Sequence, residues 1–202
     1  SGDPVDRRLV AATLSGRLDP LSGRAQVAGH PLPSEAAGVR ALVALADVGG
    51  AHRTETSVTV GELLVERLEM TLPWYRVFAT NRTAARWLGR VNATLADVTG
   101  RETAPVRRES TLVELPQLER AVALASVALA ERTPVVMLDQ LDSFANPEDE
   151  TAFISAISRL APATTTIVIG TPVPARALGL HSDRELVEID LYTLSTEEGL
   201  VR

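Results

Sequence analysis

LVELPQLERAVALASVALAERTPVVMLDQLDSFANPEDE, residues 112–150, is the stretch whose reading decides the fold. It holds an apolar Ala-rich helix, a Pro-marked turn, the four apolar residues Val135, Val136, Met137 and Leu138, and then Asp139, where the apolar run stops. A short continuous apolar run bounded by turn signals reads as a strand buried on both faces, the kind found in parallel sheets covered by helices. An acidic residue at the carboxyl end of such a strand stands where open α/β sheets place their ligands. It can equally be the cap of the next turn. The window alone leaves both readings open.

Working outward, residues 147–160 read as a helix, with Pro147 in its first turn and Glu148, Asp149 and Glu150 complementing the positive helix N-terminus. Residues 165–169 are a β-branched run and read as a strand. Residues 174–180 then suggest a short helix, and the alternation in residues 185–194 suggests a half-exposed closing strand. Upstream, residues 6–14 have helical spacing with Gly16 as a stop, residues 24–28 alternate like a strand, and Pro31, Pro33 and Ser34 mark a loop. Residues 39–46 read as a buried strand and residues 49–57 as a loop. Thr59 with Glu62 three residues later is a capping box that opens a helix broken by Pro73. Residues 74–95 predict one or two more helices, with Trp74, Val77, Phe78, Trp87, Leu88 and Val91 as core candidates, and residues 99–110 a charged connector. Arg82, Arg86 and Arg90 recur at helical spacing and form one basic face, read as solvated.

Strands separated by helices of this length imply parallel β-α-β units. The predicted class is therefore α/β, with a helical insertion near residues 59–111 between two parts of one core, about 1–58 and 112–194. The chain's 202 residues suit one domain. Its 45% hydrophobic and 23% charged content is that of a globular protein.

Composition excludes several chemistries. Cysteine is absent, which removes disulfides, thiolate nucleophiles and Cys-ligated zinc. His30, His52 and His181 lie far apart in loop-like contexts and read as solvated rather than as metal ligands. A net charge of -6 argues against a nucleic-acid partner. No apolar run is long enough to span a membrane, and the expected location is cytoplasmic. All 20 basic residues are Arg; the chain has no Lys.

Residues 14–23 (LSGRLDPLSG), Val135–Asp139, residues 143–146 (SFAN) and residues 165–171 (TTIVIGT) follow one another in a telling order, with a helical insert between the first two. In this the chain resembles the nucleotide-binding domain of an ABC transporter, over nearly its whole length to about residue 194. The resemblance implies a P-loop NTPase-like fold of ABC ATPase type, a mostly parallel sheet flanked by helices with an all-helical subdomain. It also implies ATP and magnesium as ligands.

By the same resemblance the phosphate loop falls on residues 1–9, SGDPVDRRL, and the family carries strands and an adenine-stacking aromatic ahead of that point. Such a loop needs glycines whose N–H groups wrap the phosphates, a Lys, and a hydroxyl for magnesium. Here Arg7 falls at the Lys position, Arg8 at the hydroxyl position and Asp6 at a glycine, with Asp3 as a further acid. Asp139 keeps the Walker B carboxylate that faces magnesium, but Gln140 stands where the family has its general-base Glu. A neutral amide orients a water without taking its proton, at a typical cost of ~10²–10⁴ in rate. Pro172 falls at the switch His, residues 115–119 (LPQLE) at the glycine-bearing signature, and residues 44–48 hold no Q-loop glutamine.

The implied function is a non-hydrolysing subunit that docks on a membrane-embedded transporter subunit, peripheral to the inner face of the cell membrane, as a homodimer or beside an active ATPase. The alternatives are a weakly active ATPase in an asymmetric dimer, with Asp139 and Gln140 holding magnesium-nucleotide, and a stand-alone protein-interaction module.

Overall fold

In the computed structural model, residues 4–47, 58–71, 80–139, 144–171, 185 and 187–189 are described. Their centre is a sheet of three strands, β3 (Val43–Asp47), β4 (Val135–Asp139) and β5 (Thr166–Ile169), in the order β3-β4-β5 with both pairings parallel. Because side chains alternate across a strand, the apolar runs feed two cores at once. Ala44, Ala46, Val136, Leu138, Ile167 and Ile169 face one core, and Val43, Leu45, Val135 and Met137 face the other. This is why β4 reads as uninterrupted hydrophobic sequence rather than as an alternation.

The larger core lies under α3 (Val60–Thr71), α4 (Thr80–Thr99), α5 (Gln117–Ala130) and α6 (Pro147–Leu160). In α5, nearly every residue is buried, because the helix packs on α3, α4, α6 and the sheet together. In α4, Ala84, Leu88, Val91 and Leu95 are buried at spacings of three and four, and Arg82, Arg86 and Arg90 fall outside that stripe. Trp87 seals the α4–α5 contact by donating from Nε1 to the Ser126 carbonyl at 3.0 Å. Ion pairs of Asp97 in α4 with Arg159, and of Arg101 just past α4 with Asp149 (2.6 Å), tie the C-terminal end of α4 to α6. The N-terminal signals of α6 act as read: Pro147 sits in the first turn, and the Asn146 side chain accepts from Glu148 N at 3.1 Å.

The smaller core is covered by α1 (Pro4–Leu14), α2 (Ala36–Leu42) and a hairpin of β1 (Ala25–Val27) and β2 (His30–Leu32). Two expectations fail here. Residues 39–46 are not one strand: the chain is helical to Leu42 and extended only from Val43. Pro31 is not in a loop but in β2, paired with Gln26. The hairpin is a two-strand ribbon with open edges, where a residue without an N–H is tolerated. Ala28 (φ 50°) and Gly29 (φ 87°) make the two-residue turn, both in the left-handed region such turns require.

The capping box at Thr59 forms, with Glu62 N donating to Thr59 Oγ1 at 3.2 Å and Thr59 N to Glu62 Oε2 at 2.8 Å. Helix α4 runs four residues beyond the predicted end, into the expected connector. Predicted elements at residues 49–57, 174–180 and most of 185–194, with Trp74 and Phe78, lie outside the described residues.

Candidate functional site

The parallel register aligns the carboxyl ends of the three strands. Asp47 pairs with Asp139, and just beyond β5 the Gly170 N–H donates to the Leu138 carbonyl at 3.0 Å. Asp139 follows Leu138, which faces the larger core, so alternation turns Asp139 toward the smaller core and α1. Helix α1 packs against β4 and brings Arg7 to the same place. A methyl group added at Gly170 would lie 3.7 Å from Arg7 Cδ and 3.8 Å from Asp139 Oδ1.

Arg7 and Asp139 are each 4% exposed, and Arg7 Nε and Asp139 Oδ1 are shut off from solvent. The Arg7 side chain and the Asp139 carboxylate thus both lie beside Gly170 at the carboxyl end of the sheet. Removal of charges from water costs several kcal/mol per ion, and opposite charges and hydrogen bonds must offset it.

Of the other residues singled out from sequence, Asp6 and Arg8 are described and neither is buried as Arg7 is. Asp6 is exposed on the first turn of α1, where it complements the helix N-terminus, and Arg8 is half-buried. Gln140, Ser143, Pro172, Asp3, His52 and His181 lie outside the described residues. The segment expected to be a phosphate loop is helical from Pro4 onward. Pro fits a first helical turn, and residues 4–9 contain no glycine to hold a loop open.

The signature position is the start of α5. Leu115 and Leu118 are buried there, and the buried Glu119 accepts from Ala104 N at 3.2 Å, so these side chains serve the core. Phe144, from the SFAN segment, packs on Phe153 with ring centres 5.5 Å apart. His30 Nδ1 lies 2.7 Å from Glu35 Oε2. Among the described residues no group of three His, Asp or Glu is placed to hold a metal ion. Gly170 was not singled out from sequence; the signal available was its position immediately after a β-branched strand.

The sequence matches no protein-family model and no curated protein. Solved structures do match. The CbiO1 protein of Clostridium perfringens, part of the ABC transporter complex CbiONQ, is 17% identical with a TM-score of 0.57 over 84% of this chain and 63% of its own. An ATP-binding subunit of an ABC transporter is 15% identical with a TM-score of 0.55 over 95% of this chain and 76% of its own. A bacterial Atm1-family ABC exporter with ATP bound is 17% identical with a TM-score of 0.52 over 81% of this chain and 27% of its own. The chain thus spans less than two thirds of the length of the first and third. What these likenesses show is the fold.

That fold implies ATP and magnesium, and the described residues fit them poorly. Magnesium takes oxygen ligands in near-octahedral geometry. The buried side chain that shares the surroundings of Gly170 with Asp139 is Arg7, which carries N–H groups and a positive charge instead of oxygens. The chain has no Lys, and residues 4–9, where a phosphate loop was expected, are helix.

Proposed function

With the fold of ABC transporter ATP-binding subunits as premise, we propose that this chain is a non-hydrolysing subunit of a membrane transport complex. It docks on a membrane-embedded transporter subunit from the cytoplasmic side and forms a dimer with a second ATPase-type subunit. In this reading residues 1–58 and 112–194 form the nucleotide-domain core, and residues 59–111 form the helical subdomain. Among the described residues no helix is long and apolar enough to cross a membrane, which suits a subunit held there by a partner.

One observation carries the non-hydrolysing part: the side chains of Arg7 and Asp139, each 4% exposed, both lie beside Gly170 at the carboxyl end of the sheet, where the fold would otherwise receive a magnesium-bound phosphate. A positive charge already seated there competes with the metal. The sequence adds Gln140 and Pro172 at the positions of the general base and the switch histidine.

The test is single-turnover hydrolysis of magnesium-ATP by the native chain and by Gln140→Glu. A lost base alone would leave nucleotide bound, and Gln140→Glu would then recover turnover by ~10²-fold or more. The proposal expects no turnover from either protein, and recovery would overturn it.

A further inference from the structure

Two helices over the larger core turn faces of opposite charge outward. On α3, Glu62, Glu66 and Glu69 are exposed along one side of the helix, and on α4 Arg82 and Arg86 are exposed one turn apart. Both helices pack on α5 and on each other, so their outward faces share one side of the molecule. At the N-terminal ends the faces adjoin. Glu62 and Val65 of α3 and Asn81 of α4 line one open groove, together with the opposite charges of Arg108 and Glu109.

Neither face is neutralised within the chain. Among the described residues Glu66, Glu69, Arg82 and Arg86 make no ion pair. Glu62 caps α3 through the backbone N–H and hydroxyl of Thr59 and meets no cation there. Arg90 differs: it leans toward α6, donating to the Arg159 carbonyl at 3.2 Å, and lies over the Trp87 ring at 5.5 Å. Like charges four residues apart repel along a helix, so Glu62 with Glu66, and Arg82 with Arg86, each weaken the helix that carries them. A surface of opposite sign removes that cost. Past Arg86 the basic line continues through the exposed Gly89 and Ala93, and a methyl group at Gly89 would meet nothing within 4 Å. Small side chains at this point leave room for another helix to approach closely.

The complement of each face is carried by this chain itself. We propose that α3 and α4 form a self-complementary surface on which two copies of the chain pair about a twofold axis. The acidic face of α3 in each copy lies on the basic face of α4 in the other. In a twofold pair each copy gives and receives the same contact, so both faces are covered and the assembly closes at two. The surface is apart from Arg7 and Asp139, and the pairing does not rest on the non-hydrolysing reading. Exposed ion pairs are worth little and are screened by salt, so the association is weak and salt-dependent.

The experiment is sedimentation equilibrium of the full chain over a range of concentrations, at low salt and in 1 M sodium chloride, where the screening length is about 3 Å. The native chain is expected to reach twice the monomer mass reversibly at low salt, and to associate about tenfold more weakly or less in high salt. The charge reversals Arg82→Glu with Arg86→Glu, and Glu66→Arg with Glu69→Arg, set like charge against like, and each double variant stays monomeric on its own. Mixed in equal amounts, the two variants present opposite charges at both contacts and form a mixed pair. Misfolding of either variant cannot produce that rescue. A native chain that stays monomeric up to ~1 mM at low salt overturns the proposal. So do growth beyond two copies, pairing that high salt leaves unchanged, double variants that pair as the native chain does, and a mixture that stays monomeric.

Discussion

Replacement of Arg7 by Met tests whether the buried centre is a coupled pair. The substitution keeps the apolar stem and removes the guanidinium from the surroundings of Gly170, which Arg7 shares with the Asp139 carboxylate, 4% exposed. Breaking a buried pair from one side costs about 3–5 kcal/mol, because the remaining charge stays desolvated. For a chain of this size each kcal/mol lowers Tm by about 2–4 °C, so the expected loss is roughly 6–20 °C. The assay is denaturant unfolding of Arg7→Met, Asp139→Leu and the double variant. Replacement of both partners by apolar groups removes the stranded charge, so the double variant should recover most of the loss, with a coupling energy above about 2 kcal/mol. Additive losses, or an Arg7→Met cost below about 1 kcal/mol, would refute the reasoning. Guanidinium and carboxylate would then share a region without sharing energy.

Three other outcomes follow from local geometry. Gly170→Ala places its methyl group at ordinary contact distance, 3.7 Å at closest, and should fold with little loss. Gly16→Ala combines φ +68° with a 2.7 Å approach to a carbonyl oxygen and should cost more than about 1 kcal/mol in chemical unfolding. Phe153→Ala empties a fully buried ring site against Phe144 and should cost about 3–5 kcal/mol by the same assay. Two carboxyl groups set opposite pH trends. The backbone N–H and hydroxyl of Thr59 hold Glu62 below the usual carboxylate range, so its contribution is present above the unfolded pKa and lost as pH falls through the folded one. Burial holds Glu131 above that range, so its contribution is full below the unfolded pKa and lost as pH rises through the folded one. NMR titration should show Glu62 returning upward in Thr59→Ala, and Glu131→Gln should flatten the decline of stability with rising pH.

Where the determinants were local, the fold was legible in sequence. The bounds of α6 follow from Asn146, Pro147 and the three acids after it, all within one turn, and the Thr59–Glu62 box states its own geometry. The β4 strand was legible because both its faces are buried, which leaves an unbroken apolar run. That signal also misled: residues 39–46 are just as apolar, and nothing in VRALVALA marks the change at Val43 from helix to strand. The β2 strand was hidden by prolines that only an open-edged ribbon permits. Asp139 and Arg7 were both singled out, Asp139 from its place at a strand end and Arg7 from the resemblance. Their convergence depends on α1 crossing β4, which no local pattern records.

The most direct test of the central claim is calorimetric titration of magnesium-ATP into the native chain, with EDTA and Asp139→Asn as controls. The account predicts no magnesium-dependent binding up to ~1 mM, a free energy of only about −4 kcal/mol, and no difference between the native chain and Asp139→Asn. Micromolar binding that requires magnesium and disappears in Asp139→Asn would contradict it: the carboxyl end of the sheet would then hold nucleotide despite Arg7.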